Sequence, residues 1–159
     1  MAKENKQEQA RPNIGIISQY IKDLSMEIPH APQVFKKMQA DSPKIGVEFN
    51  IEAGKLEEEG LFNVTLNVSI NGDLSDEKAF ILELAYGSVV ALQGVMPEHI
   101  EPVLMVEIPH MLFPYVRQVV STTMAGAGLP PLMLNPIDFA GMYAARKANE
   151  ASVSKDSKK

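Results

Sequence analysis

The sequence predicts an α+β fold: a four-stranded antiparallel sheet with a long helix and a C-terminal helix packed on one face. Between residues 20 and 92, four segments alternate apolar and polar side chains with period two. After residue 96, apolar residues recur every three or four positions instead. Strands that precede helices along a chain, rather than alternating with them, favour a sheet that carries its helices on one side.

The four predicted strands lie at 20–29, 44–52, 61–70 and 78–92. The first, YIKDLSMEIP, separates two faces by alternation: Leu24, Met26 and Ile28 against Asp23, Ser25 and Glu27. The last becomes apolar on both faces, as a strand covered at one end would. The links AGKLEEEG and NGDLSDE suit hairpins, so only the segment between the first two strands is long enough to cross over.

A long helix, or two kinked pieces, is predicted after residue 96. Its apolar positions are Leu104, Ile108, Leu112, Val116, Val119, Val120 and Thr123. Pro109 and Pro114 are expected to set the breaks because proline has no amide N–H for the helical ladder. Gly126 and Gly128 are expected to end the helix.

A second helix is predicted in LNPIDFAGMYAARK. Asn135 is a candidate N-cap and Pro136 suits the first helical position. Asp138 then falls in the first turn, where a negative charge favours the helix dipole.

The chain of 159 residues is long enough for one domain with a single core. Residues 1–13 and 147–159 contain few large apolar side chains, so we expect two disordered tails around a folded domain at 14–146. The C-terminal tail is basic: residues 144–159 hold five Lys or Arg against two Asp or Glu.

The composition limits the classes of function. A net charge of -5 makes nucleic acid an unexpected partner. The absence of cysteine and of an export signal indicates a cytoplasmic protein. No window approaches the roughly 18 uninterrupted apolar residues of a membrane span, so no direct membrane insertion is expected.

No constellation of reactive side chains stands out. The three histidines, His30, His99 and His110, are scattered, which favours a structural or surface role over metal binding. There is no phosphate-binding loop, and the glycines at 126 and 128 follow a helix instead of opening one. We therefore expect no enzyme, no cofactor and no metal.

Two surfaces remain as candidate sites. Asp23 and Glu27 lie roughly 13 Å apart on one strand face, and Glu83 would join them if the two strands are neighbours. A Met-rich set could line an adaptable groove: Met26, Val34, Phe35, Met38, Met133, Met142 and Tyr143. The alternatives stay open, because acids are ordinary on a solvated sheet face and the apolar residues could fill a core or a subunit interface.

Three segments resemble the SecB family of bacterial protein-export chaperones: KDLSMEIPHAPQVFKK, AFILELAYGSVVALQG and LFPYVRQVVSTTMAGAGLPPLMLNPIDFAGMY. The similarity runs from about Ile17 to Arg146. It implies an ATP-independent homotetramer, a dimer of dimers, which holds unfolded precursor proteins and delivers them to the SecA motor ATPase.

The resemblance also implies roles for residues. The motor-binding surface maps onto Asp23, Glu27, Ile81 and Glu83. Helix residues Leu112, Val116, Val119, Val120 and Thr123 would form the tetramer interface. The segment NPIDFAGMY, which adds Phe139 to the groove, would form a lid over the client.

Two other functions stay open. One is a SecB-like chaperone dedicated to a toxin–antitoxin pair, for which the motor-binding acids would be dispensable. The other is a small enzyme with a polar pocket and shifted pKa values, for which the sequence offers no candidate residues.

Overall fold

The computed structural model describes residues 11–156 and confirms the predicted α+β fold. Its four strands are β1 (Asn13–Glu27), β2 (Lys44–Lys55), β3 (Leu61–Asp73) and β4 (Lys78–Gln93). They form one sheet in the order β1-β4-β3-β2, and all neighbouring strands are antiparallel. Both β1 and β2 are therefore edge strands.

Strand β1 begins seven residues earlier than the alternation predicts. Its pairing with β4 shifts register between Ile16 and Ser18 and again between Ile21 and Asp23. Each bulge adds one residue and so exchanges the two faces of the strand for the next stretch. Because of these two exchanges, the first half of β1 shows no period-two pattern, although it pairs with β4 throughout.

The predicted crossover joins the two edge strands, and it contains a helix that the sequence analysis did not predict, α1 (Gln33–Ala40). Val34 is fully buried and anchors it to the core. The Lys37 ammonium lies 2.9 Å from the Glu77 carboxylate and 3.5 Å from Asp76, in the turn between β3 and β4. This contact raises the pKa of Lys37, chiefly through the hydrogen bond to Glu77.

The chain is helical from Pro97 to Gly126, in three consecutive parts: α2 (Pro97–Pro102), a π-helical segment (Val103–Glu107) and α3 (Ile108–Gly126). The predicted break at Pro114 is wrong, whereas a change of helix type does occur directly before Pro109. Pro109 lies at the start of α3 and Pro114 lies inside it. The irregularity comes earlier, where the Ile108 N–H donates to the Val103 carbonyl five residues back.

Helix α4 (Phe139–Asp156) begins later than expected and ends later. Its N-cap is Asp138, whose Oδ1 accepts the Gly141 N–H at 2.9 Å, so the predicted cap at Asn135 is wrong. The helix also continues ten residues past position 146, where the sequence predicted a disordered tail. Ala residues and the i,i+4 pair of Arg146 with Glu150 favour it. Residues 1–10 and 157–159 lie outside the described residues.

The core lies between α3 and the inner face of the sheet. Alternate residues of β3 and β4 are buried there, including Leu66, Ile70 and Leu82. From α3, Leu112, Val116 and Val120 are each 0% exposed within this single chain. Their assignment to a tetramer interface is therefore corrected, because side chains that fill their own chain's core are not available to another subunit.

Candidate functional site

The predicted acidic residues share the outer face of the sheet, which no helix within residues 11–156 covers. Ser25 pairs with Glu83 and Glu27 pairs with Ile81 across β1 and β4. Residues directly opposite one another in an antiparallel pair point to the same face, and Asp23 lies two positions before Ser25 on that face. This pairing brings the four predicted residues together on one face. Their three carboxylates are exposed.

A shallow depression of about 310 Å³ lies beside these acids. Asp23 and Glu83 line it from one side and Glu48 of β2 from the other, with Asn67 and Ser69 of β3 between them. No Lys or Arg lines it in the part of the chain that the structure describes. Our site prediction missed Glu48, although the alternation of β2 already set it on the polar face.

An apolar cleft of about 440 Å³ lies on the opposite side of the sheet, at the end of α1. Phe35 and Met38 of α1 line it together with Ile45 of β2 and the segment from Gly128 to Leu132. This segment leaves α3 at Gly128, which has a φ of 78°. The N–H of the next residue, Leu129, donates to the Met124 carbonyl. That arrangement is a Schellman cap, which favours glycine at its left-handed position.

Two smaller pockets lie beneath α4. One, of about 180 Å³, is lined by Phe49 and Ile51 of β2, Met105, and Met142 and Tyr143 of α4. The next, of about 270 Å³, continues along β2 toward its hairpin and is lined by Ala53, Lys55, Phe62, Ile100 and Leu104, among others. Arg146 and Met105 belong to both pockets.

The inner face of β2 links the cleft to these pockets. Ile45 lines the cleft, Ile51 lines the pocket under α4, and Val47 lies between them with 38% of its surface exposed. Six residues of strand span about 20 Å. The result is an apolar groove along an edge strand, and we call it the β2 groove: the cleft, the inner side chains of β2 and the two pockets under α4.

The backbone of β2 is open along this groove. The Leu56 N–H donates to the Leu61 carbonyl, which sets the phase of the ladder between β2 and β3. Even-numbered residues of β2 therefore exchange hydrogen bonds with β3, whereas odd-numbered ones direct their N–H and C=O groups to the open edge. Ile45 and Val47 thus offer both an exposed apolar side chain and open backbone groups. Phe49 is half-buried, and the Ile51 side chain is buried, so Ile51 offers backbone groups alone.

The eight predicted groove residues do not form one cavity. Phe35 and Met38 lie in the cleft, and Met142 and Tyr143 lie under α4. Val34 and Phe139 are buried, at 0% and 1% exposure. The remaining two lie in neither place: Met26, which is half-buried on β1, and Met133, which is 61% exposed.

Phe139 anchors α4 instead of lining the groove. Its ring makes edge-on contacts with the rings of His110 and Phe113, both at 6.0 Å between centroids, and Phe113 in turn contacts Phe49 of β2. In the groove, the residues that the sequence prediction missed include Ile45, Phe49 and Ile51 of β2 and the wall from Gly128 to Leu132. The available signals were the apolar face of β2 and the apolar LPPL segment that follows the predicted end of the long helix.

Among the described residues, the shifted pKa values on these surfaces have local causes. Burial raises the pKa of Tyr86, and Tyr115, whose ring stacks on it at 6.5 Å, raises it further. The hydrogen bond to Glu101 raises the pKa of Lys147. Within residues 11–156, no group of His, Asp and Glu could hold a metal ion. No helix in the described part is both long enough and apolar enough to cross a membrane.

An open apolar groove on one side of a sheet and an uncovered acidic face on the other define an α+β domain built to bind other polypeptides. The comparison with protein families agrees with this class. The model of the family described as preprotein translocase subunit SecB matches residues 7–150, and the chain belongs to the SecB family.

Relatives of the same name cover most of the chain. "Protein-export protein SecB" of Methylobacillus flagellatus is 36% identical over 91% of this chain and 90% of its own length. The protein of that name from Azoarcus sp. is 39% identical over 89% of this chain and 92% of its own length. The one from Mesorhizobium japonicum is 38% identical over 92% of this chain and 86% of its own length.

A solved structure shares the fold. The SecB-like chaperone of Mycobacterium tuberculosis, in complex with a ChAD peptide from an antitoxin, matches with a TM-score of 0.65. The match covers 79% of this chain and 91% of that one, at 14% identity. At that identity the likeness concerns the fold alone.

Proposed function

We propose that this protein is an ATP-independent cytoplasmic chaperone that holds precursor proteins unfolded and delivers them to the SecA motor of the Sec translocase. Membership of the SecB family and the names of its relatives support the assignment. One observation carries it: the β2 groove and the acidic face lie on opposite sides of one sheet, so a client and a motor would not compete for the same surface.

Clients would bind in the β2 groove as extended chains. Alternate side chains of a client would rest on the inner face of β2 while its backbone pairs with the open edge, as in strand addition. Each large apolar side chain that leaves water contributes about 1.5–3 kcal/mol, and the backbone bonds require no particular sequence. Slowly folding precursors expose such segments longest, which would make slow folding the basis of selection.

A tetramer, a dimer of dimers, would multiply these weak sites. Open apolar surface supports such an assembly in two places: Ile17 and Ile21 are 60% and 48% exposed on edge strand β1, and Met111 and Tyr115 are 48% and 47% exposed on α3. Val119 and Thr123, which are half-buried on α3, are the predicted interface residues that remain accessible. Several grooves on one particle raise the effective concentration for a long client.

The acidic face would bind the motor. Asp23, Glu27 and Glu83 present negative charge around Ile81, and Glu48 extends the charge across the depression to β2. A basic segment of the motor would be steered to this face, at a rate that falls as salt screens the charges. The rival function in a toxin–antitoxin pair has weaker support, because the relatives at 36–39% identity are export proteins and the SecB-like chaperone matches only in fold.

Light scattering on a sizing column tests the proposal. The purified chain is run alone, with a permanently unfolded precursor and with the folded form of that precursor, all without nucleotide. We expect a mass near four chains that co-elutes with the unfolded form only. A particle that ignores unfolded protein would refute the chaperone function, and a monomer that binds it would refute the tetramer.

A further inference from the structure

Arg146 divides the β2 groove beneath α4. Its side chain lines the pocket formed by Ile51, Met142 and Tyr143 and also lines the neighbouring pocket that runs toward the β2–β3 hairpin. The two pockets share the same strand as their floor, so an extended chain lying along β2 would have to pass the position that this side chain occupies.

Arg146 also occupies the open edge of β2. Its Nη1 donates to the Ile51 carbonyl at 3.4 Å. Ile51 is an odd-numbered residue of β2, so that carbonyl points away from β3 and is an acceptor that an added strand would use. The guanidinium therefore takes the place of a client's backbone N–H.

The contact is suited to being exchanged. The Arg146 Nε lies 3.2 Å from the Glu150 Oε1 one turn further along α4, which orients the guanidinium toward the strand. The Arg146 side chain is 55% exposed, so it moves into water without leaving a buried charge behind. The next residue contacts a different element: the Lys147 ammonium lies 2.7 Å from Glu101 in α2, and it also lies 3.6 Å from the Glu150 Oε2 and 5.7 Å from the ring centre of Tyr143.

We propose that Arg146 is a gate of the β2 groove: at rest it caps the Ile51 carbonyl and separates the two pockets, and an extended client displaces it to join them. This inference rests on the proposed client binding in that groove. A resting contact that must be broken lowers the apparent affinity for the client: the intrinsic affinity is multiplied by the fraction of chains in which the groove is open. Removing a contact of this strength should tighten client binding about fivefold.

The test compares two substitutions on adjacent residues of α4. Arg146→Met removes the guanidinium but keeps an unbranched side chain that lines both pockets. Lys147→Met removes an equal charge and the contacts of the ammonium to Glu101, Glu150 and the Tyr143 ring, but leaves the bond from Arg146 to Ile51 in place. Affinity for a permanently unfolded, fluorescently labelled precursor is measured by titration, and amide hydrogen exchange of β2 is measured without client.

We expect about fivefold tighter client binding for Arg146→Met, with little change for Lys147→Met. We also expect faster exchange of the Glu52 amide in Arg146→Met, because that amide shares a peptide unit with the Ile51 carbonyl and bonds to β3. Arg146→Gln, which has a shorter donor, should lie in between. Unchanged or weaker binding by Arg146→Met would overturn the gate, and so would equal effects of the two Met substitutions, because the cause would then be charge. Wild-type binding separates the two hypotheses: if the wild type binds no unfolded precursor, the proposed function itself fails.

Discussion

Gly72 of β3 should tolerate no side chain, because the ring of Phe80 lies over it. The two residues are direct partners across β3 and β4. A Cβ atom on Gly72 would lie 2.6 Å from Cδ1 and 2.8 Å from Cζ of that ring, closer than real Cβ atoms come. Phe80 is 1% exposed, so the ring cannot swing into solvent. Gly72→Ala therefore overpacks the core.

The expected cost follows from two opposing effects. Forcing one extra carbon into a packed core costs about 1–3 kcal/mol, whereas replacing glycine by alanine stiffens the unfolded chain and returns about 0.4–1 kcal/mol. We expect a net loss of about 1–2 kcal/mol in the free energy of unfolding. Because Phe80 also lines the apolar cleft, its displacement should weaken client binding as well.

Urea denaturation at one fixed protein concentration measures the loss, since the proposed subunit association would make stability depend on concentration. Gly46→Ala is the matched control: it lies on neighbouring strand β2, and a Cβ there would have no atom within 4 Å. The double variant of Gly72→Ala with Phe80→Leu should recover part of the loss caused by Gly72→Ala. A Gly72→Ala protein as stable as the Gly46→Ala control would refute the packing argument.

Three further predictions concern the surfaces and α4. Asp23→Lys or Glu83→Lys should weaken SecA binding roughly tenfold in titration calorimetry at low salt while the mass and client affinity stay unchanged; loss of the tetramer would show that the acids are structural. Tyr143→Ala should weaken the binding of an unfolded client about fivefold in a fluorescence titration, and an unchanged affinity would remove the pocket under α4 from the site. Asp138→Ala should cost about 1 kcal/mol of stability in thermal or urea unfolding, whereas Asn135→Ala should cost little; equal effects would contradict the observed cap.

Local patterns predicted the regular elements and missed the irregular ones. Strands β2 and β3 keep strict alternation, so their faces could be read directly. The two bulges of β1 break that alternation, and bulges have no fixed sequence signature. Asn135 and Asp138 are both good N-cap residues, and only the path of the chain after Leu134 decides that Asp138 caps the helix.

Of the two candidate sites, the acidic face could be predicted from local patterns and the β2 groove could not. Alternation placed Asp23, Glu27 and Glu83 on the outer face, and the pairing of β1 with β4 brings them together. The β2 groove depends on contacts between α1, β2, the wall after Gly128, and α4, which are distant in sequence. A helical apolar pattern also cannot separate residues such as Val116, which fills the core of its own chain, from residues that face another subunit.

Strand β2 belongs to both surfaces, and this limits how they could influence one another. Glu48 borders the acidic depression, whereas its neighbours Val47 and Phe49 face the groove. Because side chains alternate across a strand, a substitution on one face leaves the other face's contacts intact. A motor bound to the outer face would therefore influence the groove only by moving the β2 backbone, whose open edge is where a client would pair.

Any such coupling must be reciprocal, so a client that orders the edge of β2 would change the affinity of the acidic face for the motor by the same factor. Titrating SecA against the protein with and without a saturating unfolded client measures that factor, and a ratio of one would mean that the two faces act independently.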